Sequence, residues 1–137
     1  MSSALSVAKA YYAAIHAGDF DALFDVLDEE CTIEFYGPQV IPFAGYFRGK
    51  EKCKVFFGHV ANDVVIKRFD QESFITEADQ VAVTGRLTLE FNSTGRIYDS
   101  EYVHVFTICG NHVLRFRDFQ NSAKAAAVCS VLETPER

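Results

Sequence analysis

The chain has 137 residues, a formal net charge of −6 and no run of lysine or arginine. An acidic chain without a basic patch is not expected to bind nucleic acid or an anionic membrane surface, since both require positive charge on the protein. The length suits a single domain over residues 1–137 with a hydrophobic core of its own.

Membrane, export and metal-binding patterns are not apparent in the sequence. No apolar run approaches the roughly 20 residues of a membrane span, and the N-terminal region lacks the basic and apolar segments of a signal peptide. We therefore expect a cytoplasmic protein without a membrane partner. The four cysteines contain no C-x-x-C pair, and together with the four histidines they show no metal-ligand spacing. This pattern predicts free thiols and no metal site.

The first part of the chain predicts two helices. Apolar residues recur at helical spacing over residues 3–17 and indicate a first helix. Gly18 is expected to end that helix, and Asp19 to cap a shorter second helix over residues 20–27. Both helices have an apolar face that must pack on another part of the fold.

A strand, a loop and a third helix are expected next. Residues 31–36 alternate in polarity as a strand does, whereas residues 37–49 contain Pro38, Pro42 and glycines and predict an irregular loop. That loop either lies across the mouth of a pocket or packs on the surface. Residues 50–60 predict the third helix.

The remainder of the chain is typical of a meander. Strands are predicted over residues 64–76, 80–92, 96–108 and 112–121, each separated from the next by turn residues, and a short terminal helix over residues 122–131. Long strands joined by short turns predict a bent antiparallel sheet. With helices packed on one face of that sheet, the chain is an α+β protein.

The hairpin formed by the last two strands contains a candidate acid–base pair. A two-residue loop at Gly110 and Asn111 would place His104 opposite Arg117 and mix charge into an aromatic face. A three-residue loop instead pairs Ile108 with Leu114, Phe106 with Phe116 and His104 with Asp118. We favour the second register, in which the Cβ atoms of opposite residues are about 4.5–5.5 Å apart.

Asp118 has two interpretations in that register. As a carboxylate beside an imidazole on an apolar wall, it is suited to accept a proton from a carbon next to a carbonyl group. The alternative is a purely structural ion pair with Arg86, Arg115 or Arg117.

Four parts of the chain together form a recognisable pattern: Tyr11 with Gly18-Asp19-Phe20-Asp21, residues 28–34 (DEECTIE), residues 47–51 (FRGKE), and His104-Val105-Phe106 with Gly110, Val113 and Arg117-Asp118-Phe119. In these segments the chain resembles the SnoaL-like group of the NTF2-like superfamily. The resemblance implies a cone-shaped, cystatin-like α+β fold in which three helices and a strongly curved antiparallel sheet enclose a pocket. The scaffold serves cyclases, isomerases, hydrolases and binding modules, so it does not by itself assign an activity.

Two enzyme groups of this superfamily differ in how well they match. Ketosteroid isomerases need a tyrosine, which Tyr11 supplies, and two acids, where this chain has Phe35 and Val103. SnoaL-type polyketide cyclases use an aspartate with a nearby histidine and no cofactor, and Asp118 and His104 match both. This resemblance implies that Asp118 is the acid–base residue and His104 its partner. Many relatives also carry an acid three residues further on, where this chain has Asn121.

The sequence therefore supports two hypotheses. The first is a cofactor-free cyclase, isomerase or lyase that acts on a small apolar carbonyl or hydroxyl compound in a hydrophobic pocket. The alternative is a non-catalytic ligand-binding or dimerisation module, and in either case we expect a homodimer through the sheet. The expected interface residues are Val103, Val105, Thr107, Val113 and Phe119. The expected substrate contacts are Tyr11, Tyr12, Glu34, Tyr36, Tyr102 and Phe106.

Overall fold

The computed structural model of the chain describes residues 3–130, which form a mixed α+β fold. In its single sheet, neighbouring strands pair antiparallel, with one exception: the strands that come first and last in the chain lie side by side and pair parallel. The elements are α1 (Ala4–Ala17), α2 (Phe20–Asp25), β1 (Leu27–Phe35), β2 (Gly45–Arg48), α3 (Lys50–Asp63), β3 (Val64–Glu77), β4 (Gln80–Phe91), β5 (Ile97–Cys109), β6 (His112–Gln120) and α4 (Ser122–Cys129). The open sheet has the order β2-β1-β6-β5-β4-β3. The predicted α+β class is confirmed.

The bounds of α1 follow from its caps. The Ser3 side chain accepts a hydrogen bond from the backbone N–H of Ser6 at 3.1 Å, and Gly18 ends the helix in the left-handed conformation at φ 67°. The predicted roles of Gly18 and Asp19 are confirmed, because Asp19 caps α2. The predicted end of α2 at residue 27 is wrong, since Leu27 already pairs with Val113 in the sheet.

The segment of residues 37–49 is only partly irregular. Gly45–Arg48 form the edge strand β2 against β1, which the sequence analysis did not predict. Four residues are too few to show a strand pattern, so only the pairing with β1 reveals this strand. Phe43 in the loop before it is buried, and its ring packs edge-on against Phe35 at 5.1 Å.

Bulges bend β3 over the inner face of the sheet, which is the face that packs against α1 and α3. The pairing of β3 with β4 shifts between Ile66 and Arg68 and again between Gln71 and Ser73. Gly85 of β4 lies beside the second bulge, where a Cβ atom would be 1.9 Å from the carbonyl oxygen of Asp70. The absence of a side chain at Gly85 therefore allows β3 to approach this closely.

The register of the β5–β6 hairpin is as predicted at its centre and different at its turn. His104 pairs with Asp118 and Phe106 with Phe116, which confirms the predicted register there. Near the turn, however, Ile108 pairs with Val113 rather than with Leu114. The loop has two residues, and Leu114 is the extra residue of a bulge that restores the register.

This bulge also changes the predicted outer face. Val113 shares the inner face with Ile108 and is fully buried, so its assignment to an exposed interface is wrong.

At the end of the fold, α4 runs to Cys129, and residue 131 of the predicted terminal helix lies outside the described residues. Among residues 3–130, no helix combines the length and the apolar character that crossing a membrane requires.

Candidate active site

The hairpin register brings His104 and Asp118 into contact on the inner face. Their Nε2 and Oδ1 atoms are 3.2 Å apart, and the two side chains are only 3% and 8% exposed. The contact lacks the alignment of a hydrogen bond, and Nε2 has no hydrogen-bond partner among the described residues. His104 therefore carries a buried polar atom that a bound molecule can satisfy.

The other ring nitrogen of His104 is held by α1. The hydroxyl group of Tyr12 lies 2.6 Å from Nδ1. Burial raises the pKa of Tyr12, so the phenol keeps its proton and is able to donate a hydrogen bond to this nitrogen. Tyr102 stacks on the imidazole at 4.2 Å, and Phe116 packs edge-on at 4.7 Å. The orientation of the ring is thus determined from three sides.

A second chain of hydrogen bonds orients the carboxylate of Asp118. Gln120 donates from Nε2 to Oδ1 of Asp118 at 3.0 Å, and its Oε1 accepts from the Tyr98 hydroxyl at 2.9 Å. Because burial raises the pKa of Tyr98 to about 12, the phenol remains a donor and sets which end of the amide faces Asp118. The sequence analysis did not assign Gln120 or Tyr98 to the site. Strand alternation from Asp118 could have found Gln120.

A cavity of about 180 Å³ lies between the three helices α1, α2 and α3 and the inner face of the sheet. His104, Asp118 and Gln120 form part of its wall, which is otherwise mostly apolar. Among the described residues, no lysine or arginine lines it. The mouth of the cavity lies between the α1–α2 turn and the α3–β3 junction, because the exposed lining residues are found there. These residues are Gly18, Asp19, Phe20, Ala61 and Ile66.

Tyr11 lines the cavity as well. Its ring packs edge-on against Phe106 at 5.1 Å, and burial raises the pKa of its phenol well above the ordinary value. Tyr12, Tyr102 and Phe106 lie behind the wall and do not line the cavity. The first two contact His104 directly, and Phe106 packs against the ring of Phe116 at 5.0 Å.

Glu34 and Tyr36 lie on the outer face of the sheet, away from the cavity. Glu34 accepts two hydrogen bonds from Arg115, at 2.9 and 3.2 Å, and another from the Tyr36 hydroxyl. The Arg115 guanidinium holds the pKa of Glu34 below its usual value. Neither residue therefore lines the cavity for which the sequence analysis proposed it. The alternation of β1 already separates Glu34 from the buried Ile33 and Phe35.

No arginine pairs with Asp118 among residues 3–130. Arg115 bonds to Glu34, Arg86 bonds to Glu101 at 2.9 Å, and Arg117 lies over the Phe119 ring on the outer face. The alternative interpretation of Asp118, a structural ion pair with one of these arginines, therefore does not hold in the described residues. Within the same residues, no group of three His, Cys, Asp or Glu side chains is arranged as metal ligands.

Asn121, at the position where the family resemblance implied an acid, has a structural role. Its Oδ1 accepts a hydrogen bond from the backbone N–H of Lys124 at 3.1 Å and so caps α4. Its own backbone N–H donates to the Ser100 hydroxyl at 3.2 Å. Asn121 does not line the cavity.

Similar solved structures share this fold at low sequence identity. An NTF2-like protein from Burkholderia xenovorans LB400 is 23% identical over 95% of this chain and 99% of its own, with a TM-score of 0.85. A protein from Pseudomonas putida KT2440, provisionally assigned as a polyketide cyclase, is 18% identical over 95% and 100%, with a TM-score of 0.81. TerC, co-crystallised with polyporic acid, is 19% identical over 93% and 98%, with a TM-score of 0.77.

Sequence comparison gives the family itself. No curated protein matches the chain significantly. The family model described as a SnoaL-like domain matches residues 8–118, a range that begins within α1 and ends at Asp118. The chain therefore belongs to the family of SnoaL-like domains and has the NTF2-like fold.

Proposed function

We propose that the protein is a cofactor-independent acid–base enzyme that moves a proton on a small, uncharged and mainly apolar carbonyl or hydroxyl compound. The observation that carries this proposal is the Asp118 carboxylate, in contact with His104, on the wall of an apolar cavity that opens to solvent. The name of one similar protein, a provisional polyketide cyclase, is compatible with such a ligand.

Asp118 is the base in this proposal. It takes a proton from the carbon next to a carbonyl group. The electrons of the broken C–H bond form a C=C bond, and the π electrons of the carbonyl group move to its oxygen to give an enolate. The developing negative charge needs a hydrogen-bond donor in the same cavity, either the Tyr11 hydroxyl or, when it carries the ring proton, the unpartnered Nε2 of His104. Return of the proton from Asp118 to another carbon completes an isomerisation. Alternatively, the enolate carbon attacks a second carbonyl group and closes a ring, and Asp118 returns its proton to the alkoxide formed there.

The cavity indicates what size and charge of ligand fits. An engineered cavity of about 150 Å³ in another protein accepts benzene, so the volume here suits one ring with short substituents. An anionic ligand would find no basic side chain among the described lining residues, and it would meet Asp19 at the mouth and Asp118 inside. A neutral ligand with one or two polar atoms avoids this repulsion.

Deuterium exchange tests the proton transfer without knowledge of the natural substrate. Cyclohexanone and acetophenone are incubated with the protein in D₂O, and the loss of the protons next to the carbonyl is followed by NMR. We expect the wild-type protein to accelerate exchange and Asp118→Asn to lower that acceleration about 10²- to 10⁴-fold. Asp79→Asn, in the exposed turn between β3 and β4, is the matched control and should exchange as the wild type does.

Ligand binding separates the two functions left open by the sequence. If chemical-shift changes show that the ketones occupy the cavity but the wild type exchanges no faster than Asp118→Asn, the acid–base proposal fails. The protein would then be a ligand-binding module, the non-catalytic alternative.

We also propose that two copies associate through the outer face of the sheet. Val103 and Phe119 pair across β5 and β6 and are each 38% exposed, and the Tyr36 ring stacks on Phe119 at 4.8 Å. An exposed cluster of this kind on paired strands suits a symmetric interface. Light scattering should give a dimer mass for the wild type and a monomer mass for Phe119→Lys. Val55→Lys, at a 47% exposed position on α3, is the control that should remain dimeric.

A further inference from the structure

The hydrogen bond between Tyr12 and His104 joins α1 to the centre of the sheet, behind the cavity wall. The two residues are 92 positions apart in the chain, and they are only 3% and 2% exposed. Tyr12 does not line the cavity and so is not placed to touch a ligand. Any effect of its hydroxyl on the site must therefore act through His104.

The chemistry of the two groups determines where the protons lie. A neutral imidazole carries its single proton on either Nδ1 or Nε2, and the other nitrogen is an acceptor. The Tyr12 hydroxyl, 2.6 Å from Nδ1, has no other hydrogen-bond partner among the described residues. Its proton is used only if it donates to Nδ1, and the ring proton then lies on Nε2. Nε2 is the nitrogen that faces Asp118 at 3.2 Å.

The alternative tautomer would change the site. With the proton on Nδ1, the lone pair of Nε2 would face the carboxylate of Asp118, and two acceptors repel each other at this distance. With the proton on Nε2, the ring presents a donor to the carboxylate instead. The tautomer of His104 therefore determines whether Asp118 faces a donor or an acceptor.

We propose that Tyr12 is a positioning residue that holds His104 as the Nε2–H tautomer and thereby presents a donor to Asp118, the base of the site. The consequence for catalysis rests on the proposed function, whereas the tautomer itself does not. The titratable groups that face His104 are Tyr12 from α1, Tyr102 from its own strand and Asp118 from β6. The apolar rings of Phe69 from β3 and Phe116 from β6 also pack against it. The hydroxyl of Tyr102 is engaged elsewhere, by Asp70 and Gln71.

Nitrogen NMR of the histidine side chain tests the proposal in the unliganded protein. With ¹⁵N-labelled histidine, long-range ¹H–¹⁵N spectra distinguish a protonated ring nitrogen from an unprotonated one, and His104→Gln identifies the signals of His104. For the wild type at neutral pH we expect a protonated Nε2 and an unprotonated Nδ1. In Tyr12→Phe the preference for this tautomer should be lost, with a mixture of tautomers or the Nδ1–H form.

Tyr102→Phe is the matched control. It removes a phenolic hydroxyl from another ring that contacts His104, but that hydroxyl is not bonded to the imidazole. We expect this variant to keep the Nε2–H tautomer. A tautomer change found in Tyr12→Phe alone then reflects the lost hydrogen bond to Nδ1 and not a general loosening of the core.

The outcomes separate this inference from the proposed function. A wild-type His104 with its proton on Nδ1, or with both nitrogens protonated, overturns the role of Tyr12, and so does an unchanged tautomer in Tyr12→Phe. If the tautomer behaves as expected but the ketones show no Asp118-dependent exchange, the assignment of Tyr12 stands and the catalytic proposal alone fails. If exchange occurs, Tyr12→Phe should lower its rate at least tenfold and shift its pH profile.

Discussion

Gly85→Ala should destabilise the fold because the position has no room for a side chain. The added Cβ atom would lie 1.9 Å from the backbone oxygen of Asp70 and 2.5 Å from the hydroxyl oxygen of Tyr102. For the first contact to relax to the 3.4 Å of ordinary van der Waals contact, β3 would have to move by about 1.5 Å. That movement would break the 2.7 Å hydrogen bond that the Tyr102 hydroxyl donates to Asp70.

The size of the effect follows from these two changes. Overpacking of a tightly packed site costs about 1–3 kcal/mol, and loss of the hydrogen bond costs about 0.5–1.5 kcal/mol. We therefore expect Gly85→Ala to lower the free energy of unfolding by about 1.5–4.5 kcal/mol, measured by urea denaturation. Tyr102 stacks on His104, so the variant should also shift the NMR signals of that imidazole.

Gly58→Ala is the matched control for this prediction. Gly58 lies within α3, and a Cβ atom there would meet nothing within 4 Å. Because alanine favours the helix, this substitution should stabilise the protein by about 0.5–1 kcal/mol. A Gly85→Ala variant that loses less than about 1 kcal/mol would show that β3 does not depend on the close approach at Gly85.

Three further predictions concern other parts of the chain. Cys109 is the exposed thiol and the other three are buried, so one thiol per chain should react rapidly with Ellman's reagent and Cys109→Ser should abolish that phase. Asn121→Ala should cost about 1 kcal/mol through loss of the α4 cap, whereas Asn121→Asp should retain the cap; equal stability of the two variants would contradict this role. Arg115 lowers the pKa of Glu34, so their pair stabilises the fold above the ordinary glutamate pKa, and this contribution is lost as the pH falls through the lowered value. Arg115→Met should therefore reduce stability at neutral pH by about 0.2–1 kcal/mol and have no effect in strong acid, as followed by urea denaturation at both pH values.

Local patterns predicted much of the fold. Gly18 and Asp19 mark the α1–α2 boundary because a left-handed C-cap and a side-chain N-cap are properties of the chain near that point. The pairing of His104 with Asp118 was predictable because only that register aligns the aromatic faces of β5 and β6. The turn itself was not predictable, since a two-residue loop with a bulge at Leu114 and a three-residue loop lead to the same register further along the strands.

In the candidate site, too, some features follow from local sequence and others only from the tertiary structure. Its acid and its histidine, Asp118 and His104, belong to one hairpin, so their meeting depends on local alternation and on the apolar pattern that the sequence displays. The contacts that orient them come from more distant segments. Tyr12 reaches His104 only because α1 crosses the inner face, and the cavity exists only because the helices and the curved sheet leave a gap between them.

The sequence by itself thus determined the α+β class, the family resemblance and the carboxylate–imidazole pair. Only the tertiary structure decided that Asp118 faces a cavity rather than an arginine, that Glu34 lies on the opposite face, and that Tyr12 holds the second nitrogen of His104. The physical reason is that periodicity and caps act over a few residues. Packing of helices against a bent sheet, in contrast, depends on the volumes and directions of side chains that are far apart in the chain.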